Sequence, residues 1–278
     1  MFIQIKIQYD RIVLVNDVTG LSRCSVACQL PIISAMGIET AFVPTAILSI
    51  NTYHKDFFFD DYTSKMNDYI ETYKKMKVSF DGIATGFLGS ERQIDIVIDF
   101  IKTFKKKHTF VLVDPVMGDH GKLYPTYTTA MQDKMRQLIP YATIMTPNLT
   151  ELCALLEVPY PHDIINRDEL IEMCRQLSNL GPQMVVVTGI SIGDEIINFA
   201  YEQGKEPAII KVKRIGDDRS GTGDVISGVI AGSYLNGLNF YQCVEKAANF
   251  ASRCIEYSQA VGAHNHLGLC FEPFLKEL

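Results

Sequence analysis

Short, largely apolar runs that close on polar groups and are separated by helical stretches constrain this chain more than any other feature. They are Arg11-Ile-Val-Leu-Val-Asn16, Glu39-Thr-Ala-Phe-Val-Pro44, Phe80-Asp-Gly-Ile-Ala-Thr-Gly86, Thr109-Phe-Val-Leu-Val-Asp114, 142–145 and Met184-Val-Val-Val-Thr188. Runs of this kind suit strands buried on both faces, as in a parallel sheet with helices above and below. Helices are expected at 25–36 with Gly37 as stop signal, at 60–76, 90–107, 126–138, 148–156 and 167–180, and finally at 240–257. Ser90 caps the helix that follows it, and Lys105, Lys106 and Lys107 suit that helix's C-terminus. Residues 195–203 and 206–213 alternate apolar and polar around Gln203-Gly204, the pattern of an antiparallel hairpin. The expected fold is therefore α/β, with a mostly parallel central sheet covered on both faces and edged by an antiparallel hairpin. No linker or repeat divides the chain, which reads as a single domain over 1–278. Residues 45–59 read as irregular and end in Phe57-Phe58-Phe59, an apolar run that should cover something or be covered.

Composition narrows the function classes. The chain has 278 residues, 47% hydrophobic and 21% charged, with a net charge of -6, which disfavours a nucleic-acid or anionic-membrane partner. Met1-Phe-Ile-Gln-Ile-Lys-Ile has neither the length of a membrane span nor a signal-peptide cleavage site. Seven cysteines, an odd number spread along the chain, argue against a disulfide framework and for a reducing, cytoplasmic setting. Cys24 and Cys28 share a helix face without a second pair to complete a metal site, and His264-Asn-His266 reads as a surface turn.

In a sheet of this type ligands bind at the carboxyl ends of the strands. Those ends carry Asp17, Thr45, Gly86, Asp114, Asn148 with Glu151, Thr188 with Gly189, and the loop Ser220-Gly-Thr-Gly-Asp224. The loop runs into an apolar segment that suits a buried helix, so free N–H groups of Gly221, Thr222 and Gly223 would form an anion site. Asp224 sets a carboxylate beside that site, which makes sense as a base next to a transferring phosphoryl group. Taken singly, Asp17 is equally a turn cap, Asn148 with Glu151 a capping box, and Asp114 a strand end before Pro115. Taken together, Asp114, Asp119 and Glu151 near an anion imply a cation between them, and Mg²⁺ takes hard oxygen ligands, keeps waters and bridges phosphates. A P-loop sequence is absent, and no Gly-x-Gly-x-x-Gly follows the first strand.

These segments together resemble the ribokinase superfamily and, within it, the pyridoxal/pyridoxamine kinases. Asn16-Asp-Val-Thr-Gly-Leu-Ser-Arg-Cys-Ser25 and Val43-Pro-Thr-Ala-Ile-Leu-Ser49 look like that family's substrate loops. Asp114-Pro-Val-Met-Gly-Asp-His-Gly-Lys-Leu-Tyr124 is similar to its vitamin B6 branch, while Thr146-Pro-Asn-Leu-Thr-Glu151 and Gly221-Thr-Gly-Asp224 are shared across the superfamily. The resemblance implies a three-layer α/β/α ribokinase-like fold and transfer of the ATP γ-phosphate to the 5′-hydroxymethyl group of a pyridine. It implies Asp224 as base, with Gly221, Thr222 and Gly223 holding phosphoryl oxygens. Asp114, Asp119, Asn148, Glu151, Thr188, Gly189 and Ser220 would serve Mg²⁺ and ATP, with Asp114 and Glu151 on the metal. Asp17, Thr45, Ser49 and Phe87 would meet the pyridine. A monovalent cation such as K⁺ is a further candidate cofactor, and a homodimer is the expected assembly. Asn16 stands where histidine is usual, Ser22 where glycine is, Asn51 where histidine is, and Phe87 where tyrosine often is. All these departures lie in the substrate half. Two other readings remain open: a hydroxymethylpyrimidine kinase of the same fold, and a non-catalytic nucleotide- or vitamin-binding protein, against which the intact Asp224 argues.

Overall fold

The structure, a computed structural model, describes residues 10–124, 127–161 and 165–278. The N-terminal heptad read above and the expected helix start at Thr126 lie outside the described residues. The strands are β1 (Arg11–Leu21), β2 (Glu39–Ile50), β3 (Phe59–Asp61), β4 (Gly82–Thr85), β5 (Phe110–Val113), β6 (Gly118–Asp119), β7 (Lys122–Leu123), β8 (Ile144–Met145), β9 (Met184–Ile192), β10 (Glu195–Glu202) and β11 (Ala208–Lys213). The helices are α1 (Ser25–Ala35), α2 (Thr63–Lys75), α3 (Glu91–Phe104), α4 (Thr129–Arg136), α5 (Leu149–Leu156), α6 (Arg167–Asn179), α7 (Thr222–Leu235) and α8 (Phe240–Ala260). Among the described residues no helix is long and apolar enough to cross a membrane.

A single sheet runs in the order β11-β10-β9-β8-β5-β4-β1-β2-β3. Pairing is parallel from β2 through β1, β4, β5 and β8 to β9. The expected hairpin β10–β11 forms one antiparallel edge. The other edge is antiparallel as well, since β3 pairs with β2 through Leu48 and Phe59. Side chains alternate between two cores: Ile12, Leu14 and Leu112 face α1, α7 and α8, while Val13, Val15 and Val111 face the side covered by α2 to α6. This period of two, with both faces apolar, is why short continuous runs were legible as central strands. The chain leaves β1 for β2 on one side and returns to β4 on the other. The crevice this reversal opens lies outside the carboxyl ends of β1 and β4.

Residues 45–59 are not irregular throughout. β2 continues to Ile50, and Phe59–Asp61 is a strand, so α2 starts at Thr63 rather than at residue 60. Asp61 enforces that start, its Oδ1 accepting the Thr63 N–H at 2.8 Å. The β1–β2 ladder shifts register between Asn16 and Val18, so strand pairing is interrupted where Asn16, Asp17 and Thr45 stand.

Candidate active site

The helix α7 is apolar all round and buried from Val225 to Ser233, so its N-terminus is held rigidly at the strand ends. Gly221 caps it at φ +75. A Cβ there would lie 2.1 Å from the Arg23 carbonyl oxygen, so the glycine is required by the β1–α1 loop packed against it. At Gly223 a Cβ would meet only Asp114 Oδ2, at 3.8 Å, and here the backbone is open to a ligand. The Ser220 N–H bonds the Asn265 carbonyl at 3.2 Å and the Thr222 hydroxyl the Arg219 carbonyl at 2.9 Å, which fixes the loop's path. The N–H groups of the first helical turn, with their share of the helix dipole, point at one position.

Asp224 keeps an edge toward this opening and is otherwise enclosed by protein. Burial pushes its carboxyl up to about 6, opposed by a hydrogen bond from the Ser25 backbone and one from Asn16 and reinforced by the charge of Asp17. Ser25 adopts φ 54 at the start of α1, a left-handed conformation unusual for a serine, and also bonds Asp17 through its side chain. Asp17 is buried, accepts the Thr19 hydroxyl at 2.7 Å, and is raised above the ordinary carboxylate value mainly by burial.

On the other flank Asp114 is buried and held well above the ordinary carboxylate range by burial and by the charges of Glu151 and Asp224. Glu151 is raised as well, chiefly by burial. It closes the capping box of α5: Glu151 Oε2 accepts the Asn148 N–H at 2.9 Å and Asn148 Oδ1 accepts the Glu151 N–H at 2.9 Å. Its other oxygen accepts the Met117 N–H at 3.0 Å. The capping and functional readings of this pair are thus compatible, because the cap is what aims the carboxylate. Asp119 is exposed on the small hairpin β6–β7, which the sequence reading did not anticipate, and its charge acts on Glu151. His120, at the tip of that hairpin, lies 2.8 Å from Asp218 and so ties it to the loop preceding Gly221. A cleft of about 280 Å³ brings Asp119, Asn148, Thr188 and Gly189 together. Two buried carboxylates, Asp114 raised by the charge of Glu151 and Glu151 by burial, fit a hard cation such as Mg²⁺ that would offset their charge. Among the described residues no three His, Cys, Asp or Glu side chains form a closed metal cage, so such a cation would be held partly through water and phosphate.

The acceptor-side residues divide. Asn16 adjoins Asp224 and links it to Phe87, with Asn16 Nδ2 donating to Asp224 at 3.2 Å and Oδ1 accepting the Phe87 N–H at 2.8 Å. Thr45 is fully buried and donates its hydroxyl to the Phe87 carbonyl at 2.8 Å, so it acts through the Phe87 backbone. Ser49 is exposed on the far part of β2, where it accepts the Phe58 N–H at 2.9 Å and ties down the 51–58 segment. Asn51 donates to Ser22 at 2.7 Å and to the His266 carbonyl at 2.6 Å, so these two departures from the family pattern bond each other. The turn at 264–267 thereby supports both the segment after β2 and Ser220. Gln29 and Ser227, unnoticed in the sequence, complete the polar chain around Asp224: Gln29 donates to Ser227 at 3.0 Å, and Ser227 to the Asp224 carbonyl at 3.2 Å. Only their helical placement opposite each other marks them, and the sequence does not display it. A surface cavity of about 790 Å³ lies against α5 and α6 and is lined by none of the expected site residues.

The phosphomethylpyrimidine kinase family matches residues 26–268. A Bacteroides thetaiotaomicron protein named as a phosphomethylpyrimidine kinase shares 37% identity over 99% of this chain and 95% of that one, with a TM-score of 0.95. A second crystal form of that protein, with pyridoxal, has a TM-score of 0.91 at 36% identity, covering 97% of this chain and 96% of that one. The pyridoxine kinase of Bacillus subtilis is 28% identical over 203 residues, 69% of this chain and 71% of that protein. The chain spans about half the length of other curated relatives it matches, 48% of one from Schizosaccharomyces pombe and 44% of one from Arabidopsis thaliana. The chain belongs to the phosphomethylpyrimidine kinase family.

Proposed function

We propose that this protein is an ATP-dependent kinase that phosphorylates the 5′-hydroxymethyl group of pyridoxal and related B6 vitamers. The observation that carries the reading is Asp224 in the first turn of α7, a carboxylate enclosed on most sides at a helix N-terminus suited to anions. It is supported by the pyridoxal held in a crystal form of the Bacteroides thetaiotaomicron relative. Asp224 takes the proton of the acceptor hydroxyl as the new O–P bond forms. The bond from the γ-phosphorus to the β–γ bridging oxygen breaks, and ADP leaves with that electron pair. The N–H groups of Gly221, Thr222 and Gly223 hold the phosphoryl oxygens while charge shifts onto the leaving group. Phosphoryl transfer needs this positioning and charge stabilisation more than covalent help. Asp114 and Glu151 would hold Mg²⁺ through its waters, with Asp119, Asn148, Thr188, Gly189 and Ser220 on the nucleotide side. When bound, the metal would neutralise phosphate charge, and a monovalent cation such as K⁺ would do the same more weakly. Asp17 and Phe87 face the acceptor, and Thr45 and Ser49 hold the loops that do. The compartment is cytoplasmic, in keeping with seven reduced cysteines, all buried and free.

The family description favours hydroxymethylpyrimidine as the second acceptor to try. ADP release from Mg-ATP should therefore be followed with pyridoxal, pyridoxine, pyridoxamine, hydroxymethylpyrimidine, ribose and adenosine in parallel. At least one B6 vitamer should give the highest kcat/KM. Turnover of hydroxymethylpyrimidine alone, or of no acceptor, would remove the proposal.

A further inference from the structure

Asn16 is buried within β1, where its ladder with β2 shifts register, and every polar atom of its side chain is engaged. Nδ2 donates to Asp224 at 3.2 Å and to Gln29 at 3.1 Å. Oδ1 accepts the Phe87 N–H at 2.8 Å and the Asp17 N–H at 2.9 Å. Two donors and two acceptors exhaust what an amide offers and fix which way round it lies. The Phe87 carbonyl accepts the Thr45 hydroxyl, so the residue's backbone is held at both its N–H and its C=O, and Thr45 is held in turn by Gln93, whose Nε2 donates to the Thr45 carbonyl at 2.8 Å. Gly86 lies against the same amide: a Cβ there would come within 2.4 to 2.5 Å of Asn16 Cγ, Nδ2 and Oδ1. The base and the backbone that faces the acceptor are therefore referenced to one rigid group.

We infer that Asn16 is the positioning residue of this site, holding the Asp224 carboxylate and the Phe87 backbone in one frame so that acceptor hydroxyl and base meet at reacting distance. The inference rests on the kinase reading above. It differs from a packing role in what it predicts, because a frame that aims a base acts on kcat and on the ionisation of that base, whereas packing acts on stability. The groups facing Asp224 are the Asp17 and Asp114 carboxylates, the Cys24 and Cys28 thiols and the Tyr124 phenol, and all remain in the variants.

Asn16→Asp keeps both acceptor bonds, removes both donors and sets a second carboxylate against Asp224. It should lower kcat by about tenfold to a hundredfold with pyridoxal while KM for ATP stays within about twofold, the scale of a mispositioned base. The acid limb of its pH–rate profile should move to higher pH, since the new negative charge disfavours ionised Asp224. Gly86→Ala, which pushes the amide aside without changing any charge, should lower kcat in the same direction and carries the test if Asn16→Asp fails to fold. Active wild type with unchanged kcat and acid limb in Asn16→Asp would overturn this inference alone. A wild type that turns over no B6 vitamer would overturn the kinase reading and this inference with it.

Discussion

Asp224 is kept where it costs stability. Its carboxyl ionises at about 6 in the folded protein against an ordinary 3.8, with burial as the chief cause. Below pH 4 or so both folded and unfolded states are protonated and there is no penalty. As pH rises toward 6 the unfolded state ionises first and stability falls, and by about pH 7 the penalty is complete at about 3 kcal/mol. Asp224→Asn has no such term, so thermal melts should show its gain over wild type growing between pH 4 and 7 and level above that. A gain that is the same at every pH would contradict the burial account. The glycine loop shows how far single residues were legible. Gly221-Thr-Gly-Asp224 is local in sequence, and its place at a helix start was read correctly. The packing that also demands Gly221 was not visible there, because the Arg23 carbonyl it lies against is far away in the chain. Asn16 contacts Asp224 across 208 residues, and such a pairing leaves no local pattern to read.

Elements with strong local signals were recovered best. Asn148 and Glu151 stand three apart, as do Asn239 and Gln242 at the start of α8, and each pair forms the capping box that such spacing favours. The central strands were visible because both faces are apolar. β3, β6 and β7 were not, being two or three residues long and mostly exposed, with no hydrophobic period to detect. The extension of β2 was missed because polar Thr45 and Ser49 interrupt it where it leaves the core. The core under α3 is an aromatic cluster in which Phe80, fully buried, packs on Tyr73, Phe100 and Phe104. Phe80→Ala should lower stability by about 3–5 kcal/mol in urea unfolding, the range for losing a buried phenyl. A loss under about 1 kcal/mol would mean the cluster collapses to fill the gap.

At the scale of the whole molecule, the sheet sets Asp17, Thr45, Gly86, Asp114, Asn148 and Thr188 toward the carboxyl side of six adjacent strands, and the rule that ligands bind on that side is what made these scattered polar residues candidates. It did not reveal what covers the β2–β3 edge. Phe57, Phe58 and Phe59 are 37, 64 and 41% exposed, and Leu21 and Ile47 lie open as well. A single chain leaves this face to solvent, which supports the homodimer implied by the family resemblance. Light scattering at micromolar concentration should give twice the chain mass, and Phe58→Asp should shift it toward the monomer. A wild type that is monomeric throughout would remove the dimer. In the proposed function the crevice is a phosphoryl-transfer site with Asp224 as its base. The most direct measurement is steady-state turnover of pyridoxal with Mg-ATP by wild type and Asp224→Asn, alongside ATP binding to each. The account predicts a fall in kcat of about a hundredfold or more with ATP affinity retained. Equal kcat in the two proteins would contradict it.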